Sequence, residues 1–128
     1  MANKIKLGKR PATFKEIEVT ITLPDGTEGV IPVTFKYMTK KEFGAWQDGI
    51  IKNRPEFDQG DEFSWEKLYE QGGELSADRL LDIVHSWGLD VPLSKESVIE
   101  LEEDCGAGAI PALFEAFGRA CREGRLGN

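Results

Sequence analysis

Leu80-Leu81-Asp82-Ile83-Val84-His85-Ser86-Trp87-Gly88-Leu89-Asp90-Val91-Pro92-Leu93-Ser94-Lys95-Glu96-Ser97-Val98-Ile99-Glu100-Leu101 is the stretch around which the rest of the chain is arranged. Leu80, Leu81, Val84 and Trp87 recur at three- and four-residue steps, which predicts a helix with one apolar face reaching Trp87. Gly88 follows the last apolar residue, where a left-handed C′ position favours a residue without a Cβ. Pro92 opposes an immediate restart, and Ser94 offers an N-cap oxygen to a second helix whose stripe is Val98 and Leu101. The expectation is two helices meeting at a corner, with Trp87 buried at the hinge and Leu89, Val91 and Leu93 filling the inside of the turn. The pattern is one of packing and interaction, not of chemistry.

Working outward, the chain has 128 residues, 40% of them hydrophobic and 30% charged, which suits one soluble globular domain. The net charge of −7 argues against general nucleic-acid binding, which needs clustered Lys and Arg on the phosphates. No run approaches the ~18 consecutive apolar residues of a membrane span. Residues 1–12 are basic but lack the apolar segment of a signal peptide. They read as a solvated arm, with Ile5 and Leu7 available to dock on the body; the sharper alternative is an arm that contacts an acidic partner. Cys105 and Cys121 have no metal-ligand or redox spacing and read as reduced, largely buried thiols.

Residues 13–37 form the clearest local pattern. Ile17, Val19, Ile21 and Leu23 alternate with polar residues, as do Ile31, Val33, Phe35 and Tyr37. Between them, Leu23-Pro24-Asp25-Gly26-Thr27 predicts a type I turn with Gly26 in a positive-φ bulge. That turn places Val19 opposite Ile31 and Ile17 opposite Val33, with the apolar sets on one face; a two-residue loop would oppose apolar to polar. Pro32 lies on the polar face and lacks an N–H, which places the second strand at an edge or beside a bulge.

Residues 38–124 read as a helical body of four to five helices, and 125–128 as a short tail. Thr39 and Glu42 make a capping box for a helix that shows Phe43, Trp46, Ile50 and Ile51 on one face and ends near Asn53, ahead of Arg54-Pro55. Residues 55–64 are an acidic link without the alternating ligands of a calcium loop. A short helix is expected from Trp65 to Gln71, interrupted at Gly72-Gly73, with Ser76 capping the next. The last helix has Pro111 in its first turn, Leu113, Phe114 and Phe117 on one side, and Gly124 as its stop. The fold class is therefore α+β, an N-terminal antiparallel hairpin followed by helices.

The chain carries one histidine, His85, without partners at catalytic or metal-binding spacing, so neither an enzyme nor a cofactor or metal site is expected. Gly106-Ala107-Gly108-Ala109-Ile110-Pro111 lacks the Lys and Ser/Thr of a phosphate loop. What stands out is an excess of aromatic and apolar residues around the acidic link: Trp46, Ile50, Phe57, Phe63, Trp65 and Tyr69. Either all six are core, or some form an exposed patch that binds a partner; such a patch would also support weak self-association.

In order along the chain, five pieces resemble one family. They are Ile5-Lys6-Leu7-Gly8-Lys9-Arg10-Pro11 with Phe14; Pro24-Asp25-Gly26-Thr27; Val33-Thr34-Phe35-Lys36-Tyr37 with Thr39, Glu42 and Phe43; Trp87 with Asp90; and Arg125-Leu126-Gly127-Asn128. The chain resembles the tail assembly chaperones of long-tailed bacteriophages, departing from them at Asp104-Cys105-Gly106 and in its longer acidic link. The resemblance implies a non-catalytic protein of the bacterial host cytoplasm that coats the apolar tape measure protein and helps tail tube protein assemble around it. It also implies, for many members, a longer frameshifted product. A structural minor tail component, present in the virion, is the alternative.

Overall fold

Strand β1 (Ile17–Thr22) and strand β2 (Glu28–Phe35) pair antiparallel with Val19 opposite Ile31 and Ile17 opposite Val33, the register that turn chemistry and apolar pattern jointly require. In the turn, the Gly26 N–H donates to the Leu23 carbonyl (2.9 Å) and the Leu23 N–H to the Thr27 carbonyl (2.8 Å). Gly26 takes φ +87°, as the bulge demands. The Thr27 hydroxyl (2.6 Å) and N–H (3.0 Å) both donate to the Asp25 carboxylate, and these bonds hold its pKa below the ordinary value. The coordinates are a computed structural model describing residues 2–53 and 63–126.

The helices are α1 (Lys40–Lys52), α2 (Trp65–Ile83), α3 (Lys95–Cys105) and α4 (Ala109–Glu123), so the fold is α+β with the hairpin first and four helices after it. Thr39 and Glu42 make the expected capping box on α1, and Asn53 ends that helix. Ser94 caps α3, and Gly124, at φ +67°, stops α4. Helix α2 differs from expectation. It is continuous for 19 residues, capped by Ser64 rather than Ser76, and passes through Gly72-Gly73 without a break. Two glycines cost roughly 1 kcal/mol each in a helix interior, less than packing the C-terminal half of α2 against the sheet and α3 returns.

The opening stretch holds the main correction. Helix α2 ends at Ile83, and Val84–Trp87 is a third strand, β3, antiparallel to β2. Sheet order is β1-β2-β3, so β2 is the central strand, not an edge. The cause is tertiary. Without β3 the outer side of β2 would show unpaired backbone groups; instead, the Lys36 N–H donates to the Ile83 carbonyl (2.8 Å) just where α2 becomes β3. The register slips between Thr34 and Phe35, leaving His85 as the extra residue of a bulge. That bulge sets Val84 opposite Phe35 and Trp87 opposite Val33, both on the core side of the sheet. His85 is thus on an exposed strand position, not inside a helix.

Pro32 and Gly88 explain each other. The Pro32 carbonyl accepts from the Gly88 N–H (2.8 Å), so Pro32 turns its backbone polar side toward β3 at the point where that strand stops. Its missing donor interrupts no ladder. A Cβ on Gly88 would lie 2.9 Å from the Pro32 Cβ, and Gly88 is not among the positive-φ residues. Glycine is needed there for close approach, not for a left-handed cap.

One face of the sheet (Ile17, Val19, Ile21, Ile31, Val33, Phe35, Val84) is covered by Leu113, Ala116, Phe117 and Cys121 of α4, Ala77, Leu80 and Ile83 of α2, Val98 and Leu101 of α3, and Phe43 of α1. Trp87 packs against this core but is only half-buried, with its indole N–H donating to the Val91 carbonyl (2.8 Å). Leu89 and Leu93 also pack inward, whereas Val91 is exposed. Ile5 and Leu7 are not docked: they are 84% and 94% exposed.

Candidate functional site

The six aromatic and apolar candidates fall into separate groups. Trp46 is half-buried and packs against the core. With Phe43 and Ile50 at helical spacing on α1, it faces α4, and its ring lies 5.7 Å from Phe117 and 6.2 Å from Phe114. Ile50 is half-buried beside it. Together with Ile51, Arg79 and Phe114 they line an open groove of about 330 Å³ between α1 and α4. Ile51, at 70% exposure, is the most solvent-facing member. Phe57 lies outside the described residues.

Phe63, Trp65 and Tyr69 form the second group, and they are open to water at 69%, 61% and 71% exposure. They touch one another. Phe63 meets Trp65 edge to face at 4.8 Å between centroids, and Trp65 stacks on Tyr69 at 5.8 Å. The reason for their exposure is the length of α2. Steps of three and four residues join Trp65, Tyr69, Gly73, Ala77 and Leu80 into one stripe along the helix. Ala77 and Leu80 are fully buried, so the stripe points at the core. Over its first two turns, which run beside the C-terminal part of α3, the same stripe has no cover among the described residues. Isolated exposed apolar residues are ordinary, but a stacked trio continuing a core stripe is unusual enough to make this face the candidate site.

Beside the trio, α2 and α3 bound a groove of about 510 Å³ with Tyr69 and Ile99 as its apolar lining. Glu66, Glu70 and Glu74 stand along its α2 wall at four-residue steps, and Glu102 and Glu103 along its α3 wall. The sequence reading missed this groove, although the Glu66-Glu70-Glu74 spacing was visible as a helical line of like charge. What it could not supply was α3 as the opposing wall.

The remaining chemistry-bearing residues do not converge. Burial pushes the Cys121 thiol up to about 11, with Arg122 opposing weakly, so it stays protonated and inert at neutral pH. Cys105 is a half-buried free thiol. Residues 106–108 are a turn into α4, with Pro111 in its first turn. Among the described residues, no group of three or more His, Cys, Asp or Glu is placed to hold a metal ion. No helix among them is long and apolar enough to cross a membrane.

Among the described residues, what the arrangement offers is therefore a surface: an exposed aromatic stripe flanked by an acidic groove, on a helix anchored in the core at its other end. No curated protein and no solved structure matches the chain. A protein-family model described as phage tail assembly chaperone matches residues 1–128. This chain belongs to the phage tail assembly chaperone family.

Proposed function

We propose that the protein holds the tape measure protein in solution during tail assembly, gripping apolar helical segments of it on the exposed N-terminal face of α2. The observation that carries this reading is the Phe63–Trp65–Tyr69 stack, an apolar stripe that continues a buried one without a cover among the described residues. Apolar burial gives affinity without a sequence code, which suits many chaperone copies loading along one long client. The groove holding Ile50 and Ile51 beside Trp46 is a second apolar surface on the same molecule, and Phe57 stays a candidate through its place in the link. The carboxylates around the stripe keep the free protein soluble and confine contact to its apolar centre. The role is one of binding without catalysis, in the host cytoplasm, with delivery of the client to assembling tail tube protein.

Co-expression with the neighbouring tape measure protein tests this. The wild-type chain is expected to keep the client soluble and to co-purify with it. Trp65→Asp with Tyr69→Asp is expected to lose the client while far-UV circular dichroism stays unchanged. A double variant that still solubilises the client would remove α2 from the binding face. Trp46→Asp is no test of the same idea, because its ring lies against Phe117 and the substitution would damage the fold. Finding the chain in purified virions would favour a minor tail component instead.

A further inference from the structure

Strand β1 is an outer strand of the sheet, and the direction of its free backbone groups follows from the hydrogen-bond phase. In an antiparallel pair, facing residues alternate between exchanging both backbone bonds and turning those groups away from each other. The Leu23 N–H donates to the Thr27 carbonyl, so two-residue steps along the register make Ile21–Gly29, Val19–Ile31 and Ile17–Val33 the bonded pairs. The Gly88 bond to the Pro32 carbonyl gives the same phase from the other side of β2. Pro32 turns toward β3, so Glu18 opposite it turns outward. Glu18, Thr20 and Thr22 therefore aim their N–H and C=O groups away from the sheet. Among the described residues, no backbone group from outside the sheet bonds to them. Edge strands are commonly blunted by a lysine, a proline or a bulge. Ile17–Thr22 has none of these, and its residues are strand formers apart from Glu18.

Beside this edge, on the core side, β1 and α4 bound an open cleft of about 240 Å³. Ala112 and Ala116 line its α4 wall, and their small side chains leave the room that the inward side chains of an added strand would fill. Glu115 and Arg119, also at the cleft, lie 3.8 Å apart and answer each other's charge. The solvent side differs. Glu18, and Glu16 just ahead of the strand, are exposed, and neither has a salt-bridge partner among the described residues.

We propose that the free edge of β1 adds an extended segment of another protein in which apolar and basic residues alternate. The segment runs antiparallel to β1, as every pair of this sheet does. The outward backbone groups of Glu18, Thr20 and Thr22 supply the affinity, as in strand addition generally. Side chains of the added strand alternate between the two faces. Apolar ones enter the cleft over Ala112 and Ala116. Basic ones fall opposite Glu16 and Glu18, where opposite charges stabilise a cross-strand pair. The β1 of a second copy would bring only glutamate and threonine to that face and gain no such pair. The surface uses β1 and α4, not the α2 stripe, and takes a strand, not a helix.

Fluorescence anisotropy with a labelled synthetic peptide, Lys-Val-Lys-Val-Lys-Val-Lys, tests the contact. In the antiparallel pairing its lysines stand opposite Glu18, Thr20 and Thr22, so lysine N–H groups face β1 and valine N–H groups face away. The wild-type chain is expected to bind the peptide, to lose it when the lysine amides are N-methylated, and to keep it when the valine amides are. Thr20→Pro removes the central outward N–H at a place where an edge strand tolerates proline, and is expected to weaken binding about tenfold. Glu16→Lys with Glu18→Lys is expected to weaken it about fivefold or more. Urea unfolding checks that the variants fold; if Thr20→Pro does not, the N-methylated peptides on the wild-type chain decide. Thr20→Pro is expected to leave tape measure solubilisation unchanged, so this proposal and the α2 reading fail separately. No binding at about 1 mM peptide, binding indifferent to lysine N-methylation, a folded Thr20→Pro chain that binds like wild type, or self-association that Thr20→Pro abolishes would overturn the proposal.

Discussion

Phe117→Ala against Trp65→Ala measures whether the two aromatic groups differ as the structure says they do. Phe117 is fully buried, and its ring lies 5.3 Å from Phe35, 5.6 Å from Phe43 and 5.7 Å from Trp46. It therefore joins β2, α1 and α4. Truncating a large buried aromatic costs about 3–5 kcal/mol. Each ring pair adds about 0.5–1.5 kcal/mol beyond area, so the upper part of that range is expected. A domain of this size has roughly 5–15 kcal/mol in total, so Phe117→Ala takes a large share of it. Trp65 is 61% exposed, and its loss gives up stacking on Phe63 and Tyr69 while placing a better helix former in the first turn of α2. Its cost is expected within about 1 kcal/mol. Urea unfolding followed by far-UV circular dichroism reads both, with equal slopes confirming a common unfolding transition. If Phe117→Ala leaves too little folded protein, Phe117→Leu at about 1–2 kcal/mol takes its place. Phe117→Ala costing under ~1.5 kcal/mol, or Trp65→Ala costing as much, would refute the division of the aromatics into core and surface.

Gly26→Val is expected to cost more than ~1 kcal/mol in the same unfolding experiment, because the left-handed region is strained for a β-branched residue; nothing lies within 4 Å of the added Cβ, so a clash cannot be the cause. Gly88→Ala is expected to cost about 1–3 kcal/mol, since its Cβ would meet the rigid Pro32 ring and the end of β3 must shift; a neutral result would contradict the close approach. The Glu42 carboxyl is held below its ordinary value of 4.5 by the Thr39 N–H and hydroxyl. Its contribution is therefore complete above pH 4.5 and lost as pH falls through the lower folded value, so Glu42→Gln should flatten stability against pH on the acid side; an unchanged profile would count against the capping box. A thiol reagent at neutral pH is expected to modify Cys105 well before Cys121, which should react only on unfolding.

The hairpin was legible because three local signals agree. Period-two alternation, the Pro-Asp-Gly turn and the apolar register all select Val19 opposite Ile31. Caps at Thr39 and Ser94 and the stop at Gly124 were legible for the same reason, being decided within a few residues. The third strand was not. Val84 and Trp87 are three apart, a helical spacing, and an unbroken strand would send them to opposite faces. Only the bulge at His85 restores them to one face. Its effect is to make a strand look like the continuation of α2, and no window on the sequence contains β2, whose free side selects the strand. The edge reading of Pro32 failed with it, while a bulge does lie close by at Thr34–Phe35: a proline suits a central strand when the neighbouring strand ends beside it, and that end depends on β3.

The binding face was half legible for a related reason. Trp46 and Trp65 both sit on helices among apolar neighbours, and the sequence around each shows a stripe that could be core. Periodicity reports which way a side chain points along its own helix; it does not report whether anything stands opposite. On α1 the stripe meets α4, and Trp46 packs on Phe117. On α2 the stripe is longer than its cover among the described residues, because the helix passes through Gly72-Gly73 where a break was expected. Had α2 begun at Ser76, it would have fitted the core with no uncovered stretch, and Trp65 and Tyr69 would have belonged to a separate short helix free to fold back. Continuity fixes Trp65 and Tyr69 instead about 18 Å and about 12 Å of helix before Ala77. Along those turns the stripe has no cover among the described residues, which is why the proposed client-binding face is placed there, and the line of Glu66, Glu70 and Glu74 facing Glu102 and Glu103 beside it would confine apolar contact to the stripe.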